Sequence, residues 1–350
     1  MTLCSSKEEK IVSLKIFYVF ITVTLVLFSS GRAQVTKVGT TSAKFLSIPV
    51  GARALGMGGA FAAIASDASA IYWNVAGIAR LQSAEAMFDH ASWIGDLDLN
   101  YGAIVLPLES LGSVGLSFTS MSTDEMERTT VDQPEGTGEF FSVGSIAIGV
   151  SYAKNLTDWF SIGGTFKYVN EHIWNSSATG YALDIGTLFD TPFTGLKFGA
   201  GISNFGTKMQ IDGDDLLVLK DISPNAGNNS NINARLTTEG FDLPLTLRIG
   251  FAYEPLKDED QALTIVTDAL HPNDNSESIN VGAEYEFIQR IIALRVGYKG
   301  LGTKDSEEEY TFGGGVRYEV SPGLIAKFDY AFQSFGRLSN VHKFAVALMF

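Results

Sequence analysis

The last ten residues of the chain, 341–350, alternate between large apolar side chains and small or polar ones. Successive residues of a strand point to opposite sides, so this pattern predicts a strand with one apolar face. That face carries Phe344, Val346, Leu348 and Phe350. A final strand of this kind, ending on an aromatic residue, is typical of outer-membrane β-barrels. It predicts that the strand is bound by barrel-assembly machinery during biogenesis.

Fourteen segments from residue 84 onward are expected to form strands, because each combines alternation with flanking turn residues. An even number suits a closed antiparallel barrel. Short connections such as 321–322 alternate with long ones such as 206–242, which predicts short turns in the periplasm and long loops outside the cell. The predicted strands are 84–92, 97–106, 111–121, 142–153, 159–171, 178–190, 195–205, 243–255, 260–269, 277–288, 291–299, 308–320, 323–333 and 340–350.

Charged residues lie on the opposite face of these strands from the large apolar ones. In the segment 323–333, for example, Leu324 and Phe328 share one face, whereas Lys327 and Asp329 share the other. A soluble barrel could not bury such charges without partners, but a membrane barrel turns its apolar face to lipid and its polar face to the lumen. The predicted fold is therefore all-β, a transmembrane antiparallel barrel of about 14 strands in outer-membrane lipid. Its expected lumen residues are Lys167, Arg248, Glu284, Arg295, Arg317, Lys327 and Asp329.

The first 33 residues are typical of a secretory signal peptide. Lys7, Lys10 and Lys15 precede an apolar run at 16–28, which small residues follow. This run is too short to cross a bilayer as a helix, so we expect cleavage before Gln34. A retained signal anchor is the alternative interpretation.

Composition restricts the partners and the chemistry. The formal net charge of −14 argues against nucleic acid as a partner. The single cysteine, Cys4, lies in the expected signal peptide, so no disulfide and no cysteine-based metal site is expected. No segment after the signal peptide has the roughly 18 uninterrupted apolar residues that a transmembrane helix needs.

Residues 34–83 lack the alternation of the predicted strands. Within them, 49–81 combine a Gly-rich stretch with short helical turns, and Ser66 and Asp67 are placed to cap the second turn. The segment is too small to fold alone, so we expect it to lie inside the barrel as a plug. Arg53 and Asp67 are candidate contacts between the plug and the wall. The expected organisation is a signal peptide at 1–33, a plug-like segment at 34–83 and a barrel at 84–350.

The plug-like segment contains the stretches GARALGMGGAF and SDASAIYWNVAGIA. Together they resemble the N-terminal motif of the PorV/PorQ family of outer-membrane proteins, which is similar to the FadL-like long-chain fatty acid transporters. Val75 departs from the motif, which usually has proline in an N-P-A-G turn, and the extra N–H makes a looser turn the expectation. The positions singled out for the plug are Gly51, Arg53, Gly56, Met57, Gly58, Gly59, Phe61, Asp67, Tyr72, Asn74 and Gly77.

This resemblance implies a fourteen-stranded barrel with a plug and a non-catalytic role. PorV-like members receive the C-terminal signal domain of cargo in type IX secretion, and PorQ-like members resemble anchors for surface components of that system. We therefore expect a type IX secretion component that binds secreted cargo proteins or other secretion components. The alternative is a FadL-like transporter that passes hydrophobic molecules through its wall, with Gly313, Gly314 and Gly315 and the glycines of the plug as its soft points.

Other motifs are weak. The glycines at 56–59 resemble part of a dinucleotide loop, but no apolar strand precedes them. The acidic run at 212–215 lacks the later bidentate glutamate of a calcium loop. The histidines have no metal-ligand spacing, and Ser339 with His342 lacks a nucleophile motif around it. We therefore expect no catalytic residue, no metal site and no cofactor.

Overall fold

The computed structural model describes residues 38–221, 231–303 and 307–350, so the expected signal peptide lies outside the described residues. Fourteen antiparallel strands form the wall of a barrel. They are β1 (Glu85–Trp93), β2 (Leu97–Pro107), β3 (Ser113–Thr123), β4 (Val143–Thr157), β5 (Phe160–Ile173), β6 (Ser176–Asp190), β7 (Leu196–Gly206), β8 (Thr246–Lys257), β9 (Ala262–Pro272), β10 (Ser278–Phe287), β11 (Ile292–Leu301), β12 (Tyr310–Ser321), β13 (Leu324–Gln333) and β14 (Val341–Met349).

The wall is closed because its first and last strands pair with each other. The β1–β14 ladder runs from Glu85 opposite Met349 to Ser92 opposite His342. Every other wall strand pairs with its neighbours in sequence. Closure leaves no strand edge facing lipid, where unpaired backbone groups would be costly. The predicted fourteen-stranded antiparallel barrel is confirmed, and each predicted segment overlaps its strand.

Alternation places the large apolar side chains on the outer surface of the wall. Phe328 and Phe344 lie exposed on neighbouring strands, with ring centroids 6.5 Å apart. The intervening positions point inward, and Lys343 on β14 is completely buried. The four residues singled out in the last strand, Phe344, Val346, Leu348 and Phe350, are all exposed on the apolar face.

Long connections gather at one end of the barrel and short turns at the other. The connection between β3 and β4 contains a small hairpin of Met126–Glu127 and Phe140–Phe141. The connection between β7 and β8 contains another, formed by Leu217–Lys220 and Ile232–Arg235. In outer-membrane barrels the long loops are extracellular and the short turns periplasmic. We therefore call the two ends the outer end and the periplasmic end.

The residues before β1 fill the lumen. They form two short α-helices, α1 (Ala52–Gly56) and α2 (Ala70–Trp73), and two 3₁₀ turns, Lys44–Ser47 and Val75–Arg80. Among the described residues, no helix is both long and apolar enough to span a membrane. The expected caps of the second helix are wrong, because α2 begins after Ser69 and no side chain caps it. Asp67 instead accepts a hydrogen bond from the Ser69 N–H at 3.0 Å, which stabilises the turn before the helix.

Glycines allow the plug backbone to touch the wall. Gly58 adopts a φ of +69°, and a Cβ there would lie 2.8 Å from the carbonyl oxygen of Val281. Its N–H donates to Thr311 Oγ1 at 2.9 Å. A side chain at this position would therefore push the plug away from β10.

Candidate functional site

A cavity of about 470 Å³ lies inside the outer half of the barrel, above the plug. We call it the chamber. Its size and its mixture of apolar walls with a few polar groups are typical of small-molecule sites. Its apolar lining includes Phe45, Leu46, Ile48, Trp73, Trp93, Leu97, Met121 and Leu270. Its polar lining includes Ser203, Asn204, Arg248, Asn280 and Lys299.

Arg248 lies at the floor of the chamber and is only 8% exposed. Its guanidinium carbon is 4.6 Å from the ring centre of Trp73 and 5.9 Å from that of Tyr72. One guanidinium nitrogen donates to the Trp73 carbonyl at 3.2 Å, but Nε has no hydrogen-bond partner among the described residues. A buried N–H without a partner is costly, so Arg248 carries an unsatisfied polar group at the chamber floor.

A buried ion-pair network joins the plug to the wall. Arg53 on α1 binds Glu284 on β10 through two hydrogen bonds of 2.7 and 3.0 Å. Glu284 also accepts from Arg295 at 2.6 Å, and Arg295 in turn donates to Asp329 at 2.6 Å. The structure thus links three expected lumen residues, Glu284, Arg295 and Asp329, in a network that reaches the plug through Arg53. Among the described residues, Asp67 binds Arg53 and Ser69 within the plug and forms no hydrogen bond or ion pair with the wall.

Other wall carboxylates hold the plug through its backbone. Asp268 on β9 accepts from the N–H groups of Phe61 and Ala62 at 2.9 and 3.0 Å. Asp89 on β1 accepts from the N–H of Gly51 at 2.9 Å and also binds Lys343 at 3.0 Å. Sequence analysis did not single out Asp89, Asp268 or Lys343. The sequence feature that could have identified these three residues is a charged side chain at an inward-facing position of a predicted strand.

The two remaining lysines of the expected lumen set also have carboxylate partners. Lys327 binds Glu85 at 3.0 Å, and Lys167 binds Asp184 at 2.6 Å. Arg317 differs, because it is exposed at the periplasmic end of β12. It therefore belongs to no part of the buried network described above.

The wall is irregular between β6 and β7. The register shifts between Leu183 and Ile185, and Asn204 on β7 has a φ of 61°. Asn204 is fixed there because its N–H donates to Asp184 at 2.7 Å and its amide oxygen accepts from Lys167 at 2.9 Å. Such a bulge bends a strand and breaks its regular pairing.

A cavity of about 10 Å³, which we call the slit, lies beside this bulge. Its lining shares Tyr72, Trp73 and Arg248 with the chamber floor. It also includes Ile185 and Ile202, whose side chains are 57% and 44% exposed on the outer surface of the wall. The slit therefore lies between the chamber floor and the wall at the bulge, and at this size it holds no more than about one water molecule.

The structure shows no irregularity at Gly313, Gly314 and Gly315, where a soft point was expected. Their pairing with β11 and β13 is continuous, without a register shift at these positions. A Cβ on Gly313 would lie 3.1 Å from Cα of Gly56. Gly313 and Gly315 leave room on the inner face of the wall for α1 and Arg295 to pack against it.

Most of the remaining motif residues hold the plug together. Asn74 donates to the carbonyls of Ala62 and Thr187 at 2.8 and 2.9 Å, which joins two parts of the plug to β6. Met57 and Phe61 are fully buried, and Gly59 packs against the ring of Trp73. Gly77 lies against the carbonyl of Ala65, where a side chain would not fit. Their common role here is close packing within the lumen.

Two carboxyl groups outside the spanning strands have shifted pKa values. The N–H of Gln261 lowers the pKa of Asp258 in the turn between β8 and β9. The N–H and guanidinium of Arg337 lower the pKa of Glu307 at the outer end. Among the described residues, no cluster of three or more His, Cys, Asp or Glu side chains could hold a metal ion.

Comparison with known proteins places this geometry among outer-membrane channels. The model of the uncharacterised protein family UPF0164 matches residues 22–182, and no curated protein matches the chain. A Pseudomonas aeruginosa FadL homologue is 12% identical, with a TM-score of 0.52 over 87% of this chain and 98% of that one. The Ralstonia pickettii toluene transporter TbuX is 12% identical, with a TM-score of 0.54 over 85% and 97%.

The Pseudomonas putida toluene transporter TodX is 11% identical, with a TM-score of 0.55 over 85% of this chain and 96% of that one. Identities this low show a shared fold and leave the ligand open. This chain is therefore an outer-membrane β-barrel that shares its fold with a FadL homologue and two toluene transporters.

Proposed function

We propose that this barrel admits hydrophobic or amphipathic small molecules through the outer membrane. The chamber is the observation that carries the proposal, because an aromatic-lined cavity of about 470 Å³ lies at the outer end of a FadL-like barrel. Structurally similar barrels include two toluene transporters. The transport alternative from the sequence is therefore better supported than the secretion role.

The chamber is the entry site in this proposal. Transfer of an apolar ligand from water to its aromatic walls is favourable by roughly 25 cal/mol per Å² of apolar surface buried. Trp73 and Trp93 supply aromatic surface at the floor and the rim. Arg248 places a positive charge at the chamber floor, which attracts a negatively charged end of the same molecule.

The slit is the exit in this proposal. The direct way to the periplasm is filled by the plug, which wall carboxylates hold at Gly51, Phe61 and Ala62. The slit lies between the same chamber floor and the strands that carry Ile185 and Ile202. An apolar ligand would leave by this route without entering water. The slit would have to widen for this, with movement of the bulge at Asn204.

Tryptophan quenching tests the entry site. The chain has four tryptophans, of which Trp73 and Trp93 line the chamber, whereas Trp159 and Trp174 do not. Dibromostearic acid and bromobenzene quench tryptophan fluorescence on contact, and they represent an amphipathic and a neutral ligand. In lipid nanodiscs, both probes should quench the protein saturably if the chamber takes both classes of molecule.

The matched variants are W73F/W93F and W159F/W174F, each with two tryptophans left. Saturable quenching should disappear in the first variant and persist in the second. Equal quenching in both variants would mean that the probes act from the surrounding lipid, and the proposed function would be abandoned. Circular dichroism and resistance to unfolding in cold detergent would verify that both variants form the barrel.

Partner binding at the outer loops is the second candidate function. The two loop hairpins expose apolar side chains, including Val131, Phe140 and Leu219. Exposed apolar patches are a feature of protein interaction sites. This observation supports the type IX secretion role implied by the PorV/PorQ resemblance, in which cargo or secretion components bind the barrel from outside.

Affinity purification of the tagged protein from its host outer membrane tests this second function. Secretion components or proteins sharing a C-terminal β-domain should co-purify with the parent protein. They should be lost when Val131 and Phe140 are both changed to serine. If the barrel purifies without other proteins even after crosslinking, the secretion role is contradicted.

A further inference from the structure

The first described residues of the chain cross the outer mouth of the barrel. We call residues 41–49 the strap. Thr41 forms a parallel bridge with Asp242, and the N–H of Ser42 donates to the Asp242 carbonyl at 3.0 Å. Asp242 belongs to the long loop between β7 and β8, which is on the outer side. The strap therefore starts against an outer loop.

Carboxylates from two further places at the outer end fix the strap. Asp274, in the loop between β9 and β10, accepts from Thr41 Oγ1 and from Lys44 Nζ, both at 2.6 Å. Glu171, near the outer end of β5, accepts from the N–H of Ala43 at 3.0 Å. Three separate wall or loop elements thus hold the same few residues.

Beyond the strap, the chain descends through the lumen. Lys343 on β14 donates to the carbonyl of Pro49 at 2.8 Å, and α1 follows. Arg80, at the end of the plug, forms an ion pair with Asp190 at the periplasmic end of β6. β1 starts nearby at Glu85. The plug therefore runs from the outer mouth to the periplasmic end, and Val38, which is 70% exposed, lies on the outer side.

The strap also covers the chamber. Phe45 and Leu46 are buried and form part of the chamber lining, together with Ile48 and Pro49. The polar tether is anchored on Asp274, whose side chain is 1% exposed, whereas Lys44 is 56% exposed. Exposed lysines contribute little to an ion pair, so the main anchor is the buried carboxylate with its hydroxyl partner.

We propose that the strap is a lid on the chamber, tethered by Asp274, and that its free end lies at the cell surface. Opening of this lid exposes the chamber to the outside medium. The proposal concerns access and does not depend on which ligand the chamber takes. Its tests therefore use cysteine labelling. A negative labelling result would contradict the lid without bearing on ligand binding.

Labelling of intact cells with a membrane-impermeant maleimide tests the location of the strap. The chain has one native cysteine, Cys4, which lies in the expected signal peptide, so introduced cysteines report alone. V38C should label as quickly as Q133C, which lies in the outer loop between β3 and β4. D158C, in a periplasmic turn, should label only after the outer membrane is permeabilised. If V38C behaves like D158C, the proposed surface location is wrong.

Access to the chamber tests the lid. Ser203 lines the chamber, so S203C should label slowly in the closed state. Replacement of the anchor by D274N should raise this labelling rate about tenfold, because a hydrogen bond to a charged group is lost. The control D96N removes an outer-loop charge that has no part in the strap, and it should leave the rate unchanged.

Equal labelling rates in the parent, D274N and D96N backgrounds would mean that the strap does not control access. The same comparison at S278C, a second chamber position, protects the test against a folding defect specific to S203C. Faster labelling at both positions in D274N alone is the result that the lid requires.

Discussion

Arg53 of the plug and Glu284 of the wall are joined by two parallel hydrogen bonds, 2.7 and 3.0 Å long, although 231 residues separate them in the chain. Such a bidentate pair fixes orientation as well as distance. Arg295 binds the same carboxylate from the neighbouring strand. Glu284 is therefore the point at which the plug position depends on the barrel wall.

Removal of this carboxylate should destabilise the barrel. E284Q leaves Arg53 and Arg295 without their shared anion, and breaking a buried ion pair costs about 3–5 kcal/mol. The matched control is E139Q, which breaks the exposed Arg128–Glu139 pair of an outer loop. A surface pair contributes at most about 1 kcal/mol. Thermal unfolding of the detergent-solubilised variants can be measured by the shift of the folded band on gels run in the cold. E284Q should melt at a lower temperature than E139Q. Equal melting temperatures would contradict the role of Glu284.

A side chain at Gly58 should prevent the plug from seating. G58A places a methyl group 2.8 Å from the Val281 carbonyl in a backbone conformation with a φ of +69°. Gly39 is a suitable control, since its φ is +77° but no atom lies within 4 Å of a Cβ there. Both variants carry the backbone strain of about 1 kcal/mol, and only G58A adds the clash. Protease digestion of the lumen segment should increase in G58A and not in G39A.

Acidification should release the contact between two outer loops. Arg337 lowers the pKa of Glu307, so the pair is favoured above the ordinary glutamate pKa of about 4.3 and is lost as the pH falls through the lower folded value. Hydrogen exchange at the Arg337 amide should be slow at neutral pH and should accelerate below about pH 4, after correction for intrinsic exchange. E307Q should exchange quickly at both pH values. A pH-independent protection in the parent protein would contradict this assignment.

A disulfide across the slit should block release of ligand to the membrane. Ile185 and Ile202 are direct cross-strand partners, whose Cα atoms in antiparallel sheets lie about 4.5–5.5 Å apart, within disulfide range. Oxidised I185C/I202C should still bind dibromostearic acid but transfer it to the bilayer more slowly, and reductant should restore the rate.

The matched lock is V316C/F328C, which joins cross-strand partners on β12 and β13, away from the slit. Oxidation of this pair should leave transfer unchanged. A similar slowing in both locked proteins would show that general stiffening of the wall is responsible, and the slit would lose its assigned role.

The wall could be predicted from local pattern because each strand shows its two faces in its own sequence. Phe328 and Lys327 are adjacent in the chain and point to opposite sides, which is sufficient to assign lipid and lumen. The alternation of short turns and long loops then predicted which end of the barrel faces the periplasm. The even strand count then followed from counting segments, with β1 paired to β14 by closure.

The candidate site could not be predicted in the same way, because it depends on contacts between distant residues. Nothing in the sequence around Asp268 indicates that its carboxylate accepts hydrogen bonds from the N–H groups of Phe61 and Ala62. The run of glycines at 313–315 suggested a weak wall, whereas the register shift beside the slit lies at Asn204, which has a left-handed backbone although it is not a glycine. The role of a glycine depends on what packs against it, which a single sequence does not contain.

The enclosed path of the plug constrains the order of assembly. Once β1 and β14 have paired, the segment before β1 lies within a ring of continuous backbone hydrogen bonds, tightly surrounded by the wall at Gly58 and Gly56. Its entry after closure would require the segment to thread into a lumen that it fills. We therefore expect the segment, which is too small to fold alone, to lie among the growing strands before β1 pairs with β14. Enclosure of the plug would then be a step of barrel biogenesis.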